Sequence, residues 1–344
     1  MPVNKVVFGD RTLIDLTSDT VSADKLAKGV TAHDKTGEQI TGTMESGGSS
    51  EKYGATLDTF LGDVNVSGVL QAPTAQTDLV FDGVTDLANF VLQYKFYENP
   101  VVSSVSFPQL VQISGENALN SCFRNAPIEN ISFPVLQSVT GENGLYSVCT
   151  STSASIQSVS FPALTTVSGV YCFSSAFSNC GEITSASFPA LEEITGSAAF
   201  SYCFASCSAL TNVSFPKLKK IGSDTTTDAN YRHFDNTFRS TKVTTLVFPE
   251  LTAIYCTGSS SNFGTFHGNN TIQKMYFPKL TVIDKSPAYT GTASVVAHKN
   301  ILAGCSALTE IHFGAANQAA IEATEGYPTL WGIGAGNATV YFDL

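Results

Sequence analysis

Apolar and polar residues alternate within a short phrase that returns along most of the chain. In NVSFPKL, at 212–218, Val213 and Phe215 alternate with Asn212 and Ser214, and a proline follows. A period of two over so few residues predicts a short, half-buried β-strand. Proline has no N–H to give to a strand ladder, so it predicts the end of that strand.

The phrase returns at a nearly constant spacing, and in seven copies its phenylalanine is followed by proline. The intervals between these phenylalanines run from 26 to 33 residues, and degenerate copies at Phe81 and Phe313 bring the number of units to nine. The seven anchors are Phe107, Phe133, Phe161, Phe188, Phe215, Phe248 and Phe277. A fixed period of this length predicts a repeat solenoid, because one unit cannot bury its apolar face alone and must stack on its neighbours.

The segment between successive strands carries pairs of aromatic residues four positions apart, such as Phe173 with Phe177 and Phe200 with Phe204. That spacing places both rings on one face of a short helical turn. We therefore predict a parallel β-sheet on one face of the solenoid, and short helical or irregular segments on the other.

The pattern L-x-x-V-x-F-P-x-L-x-x-I resembles the leucine-rich repeat family, and more narrowly its BspA-type (treponemal) subclass. In that subclass a proline follows the strand and an Ala-Phe-x-x-Cys phrase precedes the next one, as in SAFSNC (175–180) and CFASC (203–207). The resemblance covers about residues 76–313. The units are longer than is usual for the subclass, and the unit centred on Phe161 lacks the Ala-Phe phrase. The resemblance implies a leucine-rich-repeat array with a role in recognition or adhesion.

The two ends of the chain differ from the repeats. Residues 1–43 predict a small α+β module, with a hairpin around Gly9-Asp10, a short helix with Ser22 as its N-cap, and a further strand in TGEQITGTM. Residues 44–55 are rich in glycine and serine and predict a flexible linker.

The remaining boundaries follow from the repeats. We assign 56–100 to an N-terminal cap and first repeat, 101–313 to the leucine-rich repeats and 314–344 to a C-terminal cap. The cap is predicted to contain a helix from about Asn317 and a closing strand in ATVYFDL, with Trp331 between them. Terminal repeats need such caps because they must cover an open apolar face.

The N-terminal module, with TLIDLT, ADKLAKG and TAHDKTGEQITGT, resembles short N-terminal segments of tail-associated proteins from phages and prophages of Gram-positive bacteria. The resemblance implies that residues 1–43 attach to other tail proteins. Whether the chain also forms a homo-oligomer is left undecided by the sequence. MPVNKVVFGDRT lacks the features of a secretory signal, and no stretch has the roughly 20 apolar residues of a membrane span. We expect a virion tail protein made in the bacterial cytoplasm, the alternative being the bacterial cell surface.

The charge of the chain narrows the classes of partner. Eighteen basic residues stand against 29 acidic ones, which gives a formal net charge of −11, and no basic cluster occurs. Nucleic acids are bound through clustered lysine and arginine. We therefore expect neither a nucleic-acid partner nor membrane insertion.

The sequence contains no motif typical of catalysis or of cofactor binding, and its five histidines share no ligand spacing. The eight cysteines form no C-x-x-C pair, so we expect no metal site, no cofactor and no enzymatic activity. Cys180 and Cys207 stand one repeat apart. We expect them to be free thiols in a buried polar ladder that bonds loop backbone, with a disulfide as the alternative. The acidic segment 224–230 fits no EF-hand loop and predicts a solvated insertion rather than a calcium site.

Residues that alternate with the buried anchors point outward from the predicted sheet. In the first units they are serine and asparagine, whereas the last units carry larger and charged residues, and long insertions fall in the same half. Tyrosine beside polar and charged groups is typical of recognition surfaces. The residues that we predict to bind a ligand are Tyr231, Arg232, His233, Lys274, Tyr276, Tyr289, Glu310 and His312.

Two functions compete with the bland interpretation of these residues as the ordinary surface of a spacer. The first is a non-enzymatic phage or prophage tail protein that binds a cell-surface receptor, polysaccharide or protein. The second is a BspA-type adhesin that binds host or neighbouring-cell proteins. A glycan hydrolase would need a carboxylate pair in one cleft, and Glu250 and Glu310 lie on different units.

Overall fold

The computed structural model divides the chain into two compact units, Met1–Ser50 and Glu51–Leu344. The residues that it describes are 5–8, 11–15, 22, 31–41, 50–53, 78–225, 232–256, 264–284, 301–324, 327 and 338–344.

The first unit contains two antiparallel strand pairs. Its strands are β1 (Lys5–Phe8), β2 (Arg11–Asp15), β3 (Thr31–His33) and β4 (Gln39–Thr41). Strands β1 and β2 form the predicted hairpin, and β4 is the further strand expected in TGEQITGTM. The helix predicted after Ser22 lies outside the described residues. Strand β5 (Ser50–Tyr53) falls within 44–55, so the prediction of a flexible linker is wrong for those four residues.

In the second unit, each repeat contributes the predicted strand immediately before its anchor phenylalanine. These strands are β6 (Asp78–Phe81), β7 (Ser104–Ser106), β9 (Asn130–Ser132), β11 (Ser158–Ser160), β13 (Ser185–Ser187), β15 (Asn212–Ser214), β17 (Thr245–Val247), β19 (Lys274–Phe277), β21 (Glu310–Phe313) and β22 (Thr339–Phe342). They pair in parallel, in the groups β6-β7-β9, β11-β13-β15 and β17-β19-β21-β22. The predicted parallel sheet of a repeat solenoid is therefore confirmed.

A second, short strand follows in each of the seven repeats whose anchor phenylalanine precedes a proline, at the isoleucine or valine that ends the phrase. These strands are β8 (Gln112–Ile113), β10 (Ser138–Val139), β12 (Thr166–Val167), β14 (Glu193–Ile194), β16 (Lys220–Ile221), β18 (Ala253–Tyr255) and β20 (Val282–Asp284). They form one continuous parallel sheet of seven strands. The branched residue of each strand faces the core; Ile113, Val139 and Val167, for example, are fully buried.

The anchor phenylalanines form a single stack through the core. Centroids of consecutive rings lie 4.5–5.9 Å apart with nearly parallel planes. The stack begins at Phe81, includes all nine predicted anchors and continues to Phe342 in the closing strand. Stacking of identical positions is what turns separate short strands into one apolar core.

The segment predicted to be helical is instead a ribbon of turns that pairs with its neighbours. The N–H of Leu119 donates to Gly144 of the next repeat at 2.8 Å, whereas the N–H of Cys122 turns back to Leu119 at 3.1 Å. Positive φ angles recur every fourth residue, as at Asn117 (54°) and Ser121 (53°). An α-helix would use all of its interior N–H groups within the helix. In the ribbon about half of the backbone N–H groups bond to the next repeat instead, so stacking of the repeats favours the ribbon over a helix.

The cysteines are free and buried, as predicted. The thiol of Cys180 donates to the carbonyl of Cys149, and that of Cys207 to the carbonyl of Phe177, each at 3.1 Å. The Asn269 side-chain amide donates in the same way to a backbone carbonyl of the preceding repeat. Burial raises the pKa of Cys180 to about 12. The alternative disulfide is therefore not formed, and these side chains act as hydrogen-bond donors to backbone.

The C-terminal residues contain the predicted helix and closing strand. A 3₁₀ helix (Ala315–Asn317) leads into α1 (Gln318–Glu322), whose Ile321 is fully buried. Strand β22 then pairs in parallel with β21. Trp331 lies outside the described residues. Within the described ranges, no helix has the length and apolar character that a membrane span needs.

Candidate functional site

The strands that precede the anchor phenylalanines carry small polar side chains, in register, at most of their outward positions. Ser158 pairs with Ser185, which pairs with Asn212, and the serines two residues later form a second row. Because alternate residues of a strand face opposite sides, these side chains lie on the surface while the residue between them faces the core. This part of the sheet offers the same groups at every repeat.

The surface changes over the last three strands, where two rows of larger side chains replace the serines. Strand pairing aligns Lys274 with Glu310, and Tyr276 with His312 and then Tyr341. In the preceding strand Val247 begins the second row and is half exposed. We call these residues, with Asp343, the C-terminal recognition surface.

The second row is a stack of aromatic rings. The centroid of His312 lies 4.6 Å from that of Tyr276 and 4.7 Å from that of Tyr341, with interplanar angles of 13° in both pairs. Parallel strands hold equivalent side chains about 4.8 Å apart, so the register of the ladder itself imposes this stack. Tyr341, at the end of the stack, is 39% exposed, whereas His312 between the tyrosines is 9% exposed.

Charged groups surround the central histidine. Asp343 Oδ1 lies 2.8 Å from His312 Nδ1, and Glu310 Oε2 lies 3.2 Å from Nε2. The Lys274 ammonium donates to the same Glu310 oxygen at 2.8 Å. Hydrogen bonds from Lys274 and His312 lower the pKa of Glu310, and the bond to Glu310 raises the pKa of Lys274. Both groups therefore keep their charges across the neutral pH range.

The structure brings together four of the eight residues predicted to bind a ligand: Lys274, Tyr276, Glu310 and His312. Tyr231 and Tyr289 lie outside the described residues, and Arg232 is half-buried.

His233 is fully buried, so its prediction as a surface residue is wrong. It occupies the ribbon position immediately before the inward-facing Phe234, which a sequence interpretation based on the neighbouring insertion overlooked. Burial lowers its pKa to about 3, and neither ring nitrogen has a hydrogen-bond partner among the described residues.

Sequence reasoning missed Tyr341 and Asp343. A signal for both was present, because the closing strand ATVYFDL was predicted and alternates apolar and polar residues as the repeats do. Counting Phe342 as one more anchor would have placed Tyr341 in the row of His312 and Tyr276. The closing strand therefore contributes residues to the recognition surface and also caps the repeats.

A second histidine–carboxylate contact lies on the turn ribbon. Asp235, almost fully buried, accepts hydrogen bonds from His267 Nδ1 and from the Asn236 side-chain amide, both at 2.7 Å. Among the described residues, no three histidine, cysteine, aspartate or glutamate side chains are grouped closely enough to hold a metal ion. This contact holds adjacent ribbon turns together.

Comparison with known proteins agrees with the architecture. A family model described as a BspA type leucine rich repeat region, of six copies, matches residues 85–203, 121–255 and 174–294, which overlap and together run from 85 to 294. No curated protein matches the chain. Leucine-rich-repeat solenoids are typical of non-enzymatic binding proteins, and BspA-type repeats indicate protein binding or adhesion. The family model covers more than half of the sequence, so the chain belongs to the BspA type leucine rich repeat family.

Proposed function

We propose that this chain is a non-enzymatic recognition protein whose C-terminal recognition surface binds a receptor on a cell surface. The observation that carries the proposal is the stack of Tyr276, His312 and Tyr341 beside the Lys274–Glu310 ion pair, at the C-terminal end of the sheet, beyond the serine rows. Aromatic residues with a charged rim are typical of the energetically important centres of interfaces.

Rigidity supports this assignment. The strands that present the surface are held by the buried side chains of Met275 and Ile311, and the central histidine is fixed by two carboxylates. Side chains already held in their bound geometry lose little conformational entropy when a partner binds. The serine rows by comparison are small and uniform, and would give a partner little to distinguish one repeat from another.

The biological setting has two forms. In the first, the protein is a tail component of a phage or prophage, residues 1–43 attach it to other tail proteins, and the receptor is a polysaccharide or protein of the host cell. In the second, it is a BspA-type adhesin on a bacterial surface. The family assignment is equally consistent with both, and the resemblance of the N-terminal module favours the first.

The setting can be tested with an antibody against the repeats. Labelling of purified tail particles, with no labelling of intact, unlysed producer cells, is expected for the tail protein. Labelling of intact cells without lysis would instead support the adhesin.

The recognition surface can be tested by binding of the fluorescent chain to panels of whole bacterial and host cells. We expect the double variant Tyr276→Ala/His312→Ala to bind at least about 30-fold more weakly, because truncating a central contact costs roughly 2 kcal/mol or more. The matched control is Asn130→Ala/Ser132→Ala, which removes two outward side chains from the serine rows and is expected to bind normally. Equal binding by the two double variants, with unchanged unfolding midpoints, would remove the proposed surface.

A further inference from the structure

The recognition surface ends at a strand edge. Strand β22 is the last in the order β17-β19-β21-β22, and among the described residues no strand pairs with its far side. The N–H of Thr339 is used for the carbonyl of Thr309 at 2.8 Å. Alternate residues of a strand direct their backbone groups to opposite edges, so Val340 and Phe342 present N–H and C=O groups at the open edge.

The side chains along this edge continue the two faces of the solenoid. Val340 and Phe342 are half-buried and pack against the core, and the Phe342 ring is 5.7 Å from that of Phe313. Thr339 and Tyr341 point to the recognition surface and are exposed. A strand added here would therefore need apolar residues on one side and polar residues on the other.

The aromatic stack favours a particular neighbour at that position. Tyr276 and His312 already cover each other's faces, so a partner approaching from solvent meets their edges. Tyr341 ends the stack, and one of its faces is turned toward the place that the next strand would occupy. The carboxylate of Asp343, half exposed, lies beside it. An aromatic face with a carboxylate attracts a cationic side chain.

We propose that an extended segment of a partner protein adds to β22 as a further strand, with apolar residues against Val340 and Phe342 alternating with lysine or arginine against Tyr341 and Asp343. This inference rests on the proposed function and names the class of ligand. Main-chain hydrogen bonds would supply affinity, and alternate side chains would supply specificity.

Two other occupants fit the edge less well. A polysaccharide has no alternating N–H and C=O groups to match those of the strand, and only one ring face of the aromatic stack is open to a sugar. A second copy of the chain also carries a formal net charge of −11, so its approach is opposed by repulsion between like charges. The same negative charge attracts a basic partner segment.

The first test uses three capped nine-residue peptides of valine and lysine and the full chain. One peptide alternates the two residues, one has the same composition in blocks, and one alternates them but is N-methylated on every second amide. We expect the alternating peptide to bind at least tenfold more tightly than either control in fluorescence titrations. Equal binding by all three would overturn the inference, because only the first can both pair its backbone and match the two faces.

The second test changes the protein. Val340→Pro removes an N–H at the open edge and leaves the β21 side of the strand intact, so binding of the alternating peptide should fall at least tenfold. Thr245→Ala, on the outward face three strands away, is the matched control and should bind normally. Unchanged affinity of Val340→Pro would overturn strand addition. A concentration-dependent dimer that this variant abolishes in sedimentation would overturn the proposed occupant, because a second copy of the chain would then take the edge.

The outcomes separate the two proposals. If Tyr276→Ala/His312→Ala loses cell binding while Val340→Pro retains it, the recognition surface stands and the strand ligand is wrong. If cell binding is the same for every variant, the proposed function itself fails.

Discussion

Neighbouring residues of one strand face opposite sides in this protein, one packing in the core and the next lying on the surface. Met275 is fully buried in the core, whereas Tyr276 next to it belongs to the aromatic stack on the surface. The same holds for Ile311 and His312. A period of two makes these assignments predictable wherever the strand itself can be recognised. Residues on the turn ribbon follow a different period, and there the sequence interpretation failed.

His233 is the residue for which that failure has a measurable consequence. It is buried without a hydrogen-bond partner among the described residues, and burial lowers its pKa to about 3, far below the ordinary value of 6.5. The folded state therefore holds His233 neutral, while the unfolded state protonates it below about pH 6.5. Between these values the unfolded state binds more protons, so stability falls as the pH falls.

We predict that His233→Thr weakens this pH dependence. Thr265 occupies the equivalent ribbon position before Phe266 and is equally buried, so threonine fits the site. From pH 7.5 to pH 5 the protein should lose about 2 kcal/mol of unfolding free energy through His233, and the variant should be spared that loss. Urea unfolding at the two pH values measures it. An identical loss in both proteins would contradict the neutral, buried histidine.

The turn ribbon and the strands beside it depend on close backbone contact between repeats. Four glycines recur at the same intervals as the anchor phenylalanines of their repeats and form one column: Gly115, Gly141, Gly169 and Gly196. A Cβ atom on Gly169 would lie 2.2 Å from the carbonyl oxygen of Gly141, which is backbone and cannot rotate away. Glycine is required here because the backbones approach too closely for a side chain.

Gly169→Ala should therefore destabilise the repeats by about 3 kcal/mol, because the neighbouring backbones must separate. Gly181→Ala is the matched control, since its added Cβ would meet only the Ser208 hydroxyl at 3.4 Å, an ordinary contact. That variant should stay within about 0.5 kcal/mol of the parent. Denaturant unfolding of both variants compares them, and equal stabilities would show that the glycine column is not a packing contact.

Some of the secondary-structure elements could be predicted from the sequence and others could not. The strands before the anchors were predictable because their apolar residues alternate and a proline ends most of them. The second strands were missed because only two or three residues pair, too few for a period to appear. The ribbon was misassigned because its four-residue period resembles the spacing of a helix turn, and only the neighbouring repeat reveals where its N–H groups go.

Across the whole second unit, the residues that repeat and the residues that we propose to bind a partner lie in different places. The phenylalanine stack runs through all the repeats, and thiol or amide donors to the backbone of the preceding repeat recur at Cys180, Cys207, Asn269 and Cys305. Both features hold the scaffold together. The recognition surface lies where the repeated phrase decays, and four of its residues were predicted from that decay. Tyr341 and Asp343 were not, because the closing strand was counted as a cap and Phe342 was not counted as one more anchor.

The central claim is that binding occurs on the outward face of β19, β21 and β22, and hydrogen exchange measures it most directly. The chain would be compared free and bound to surface extract from cells that it labels. Amide exchange should slow over 274–277, 310–313 and 339–342, and should be unchanged over 158–160, 185–187 and 212–214. Protection confined to the serine-bearing strands, with none over the last three, would contradict the account.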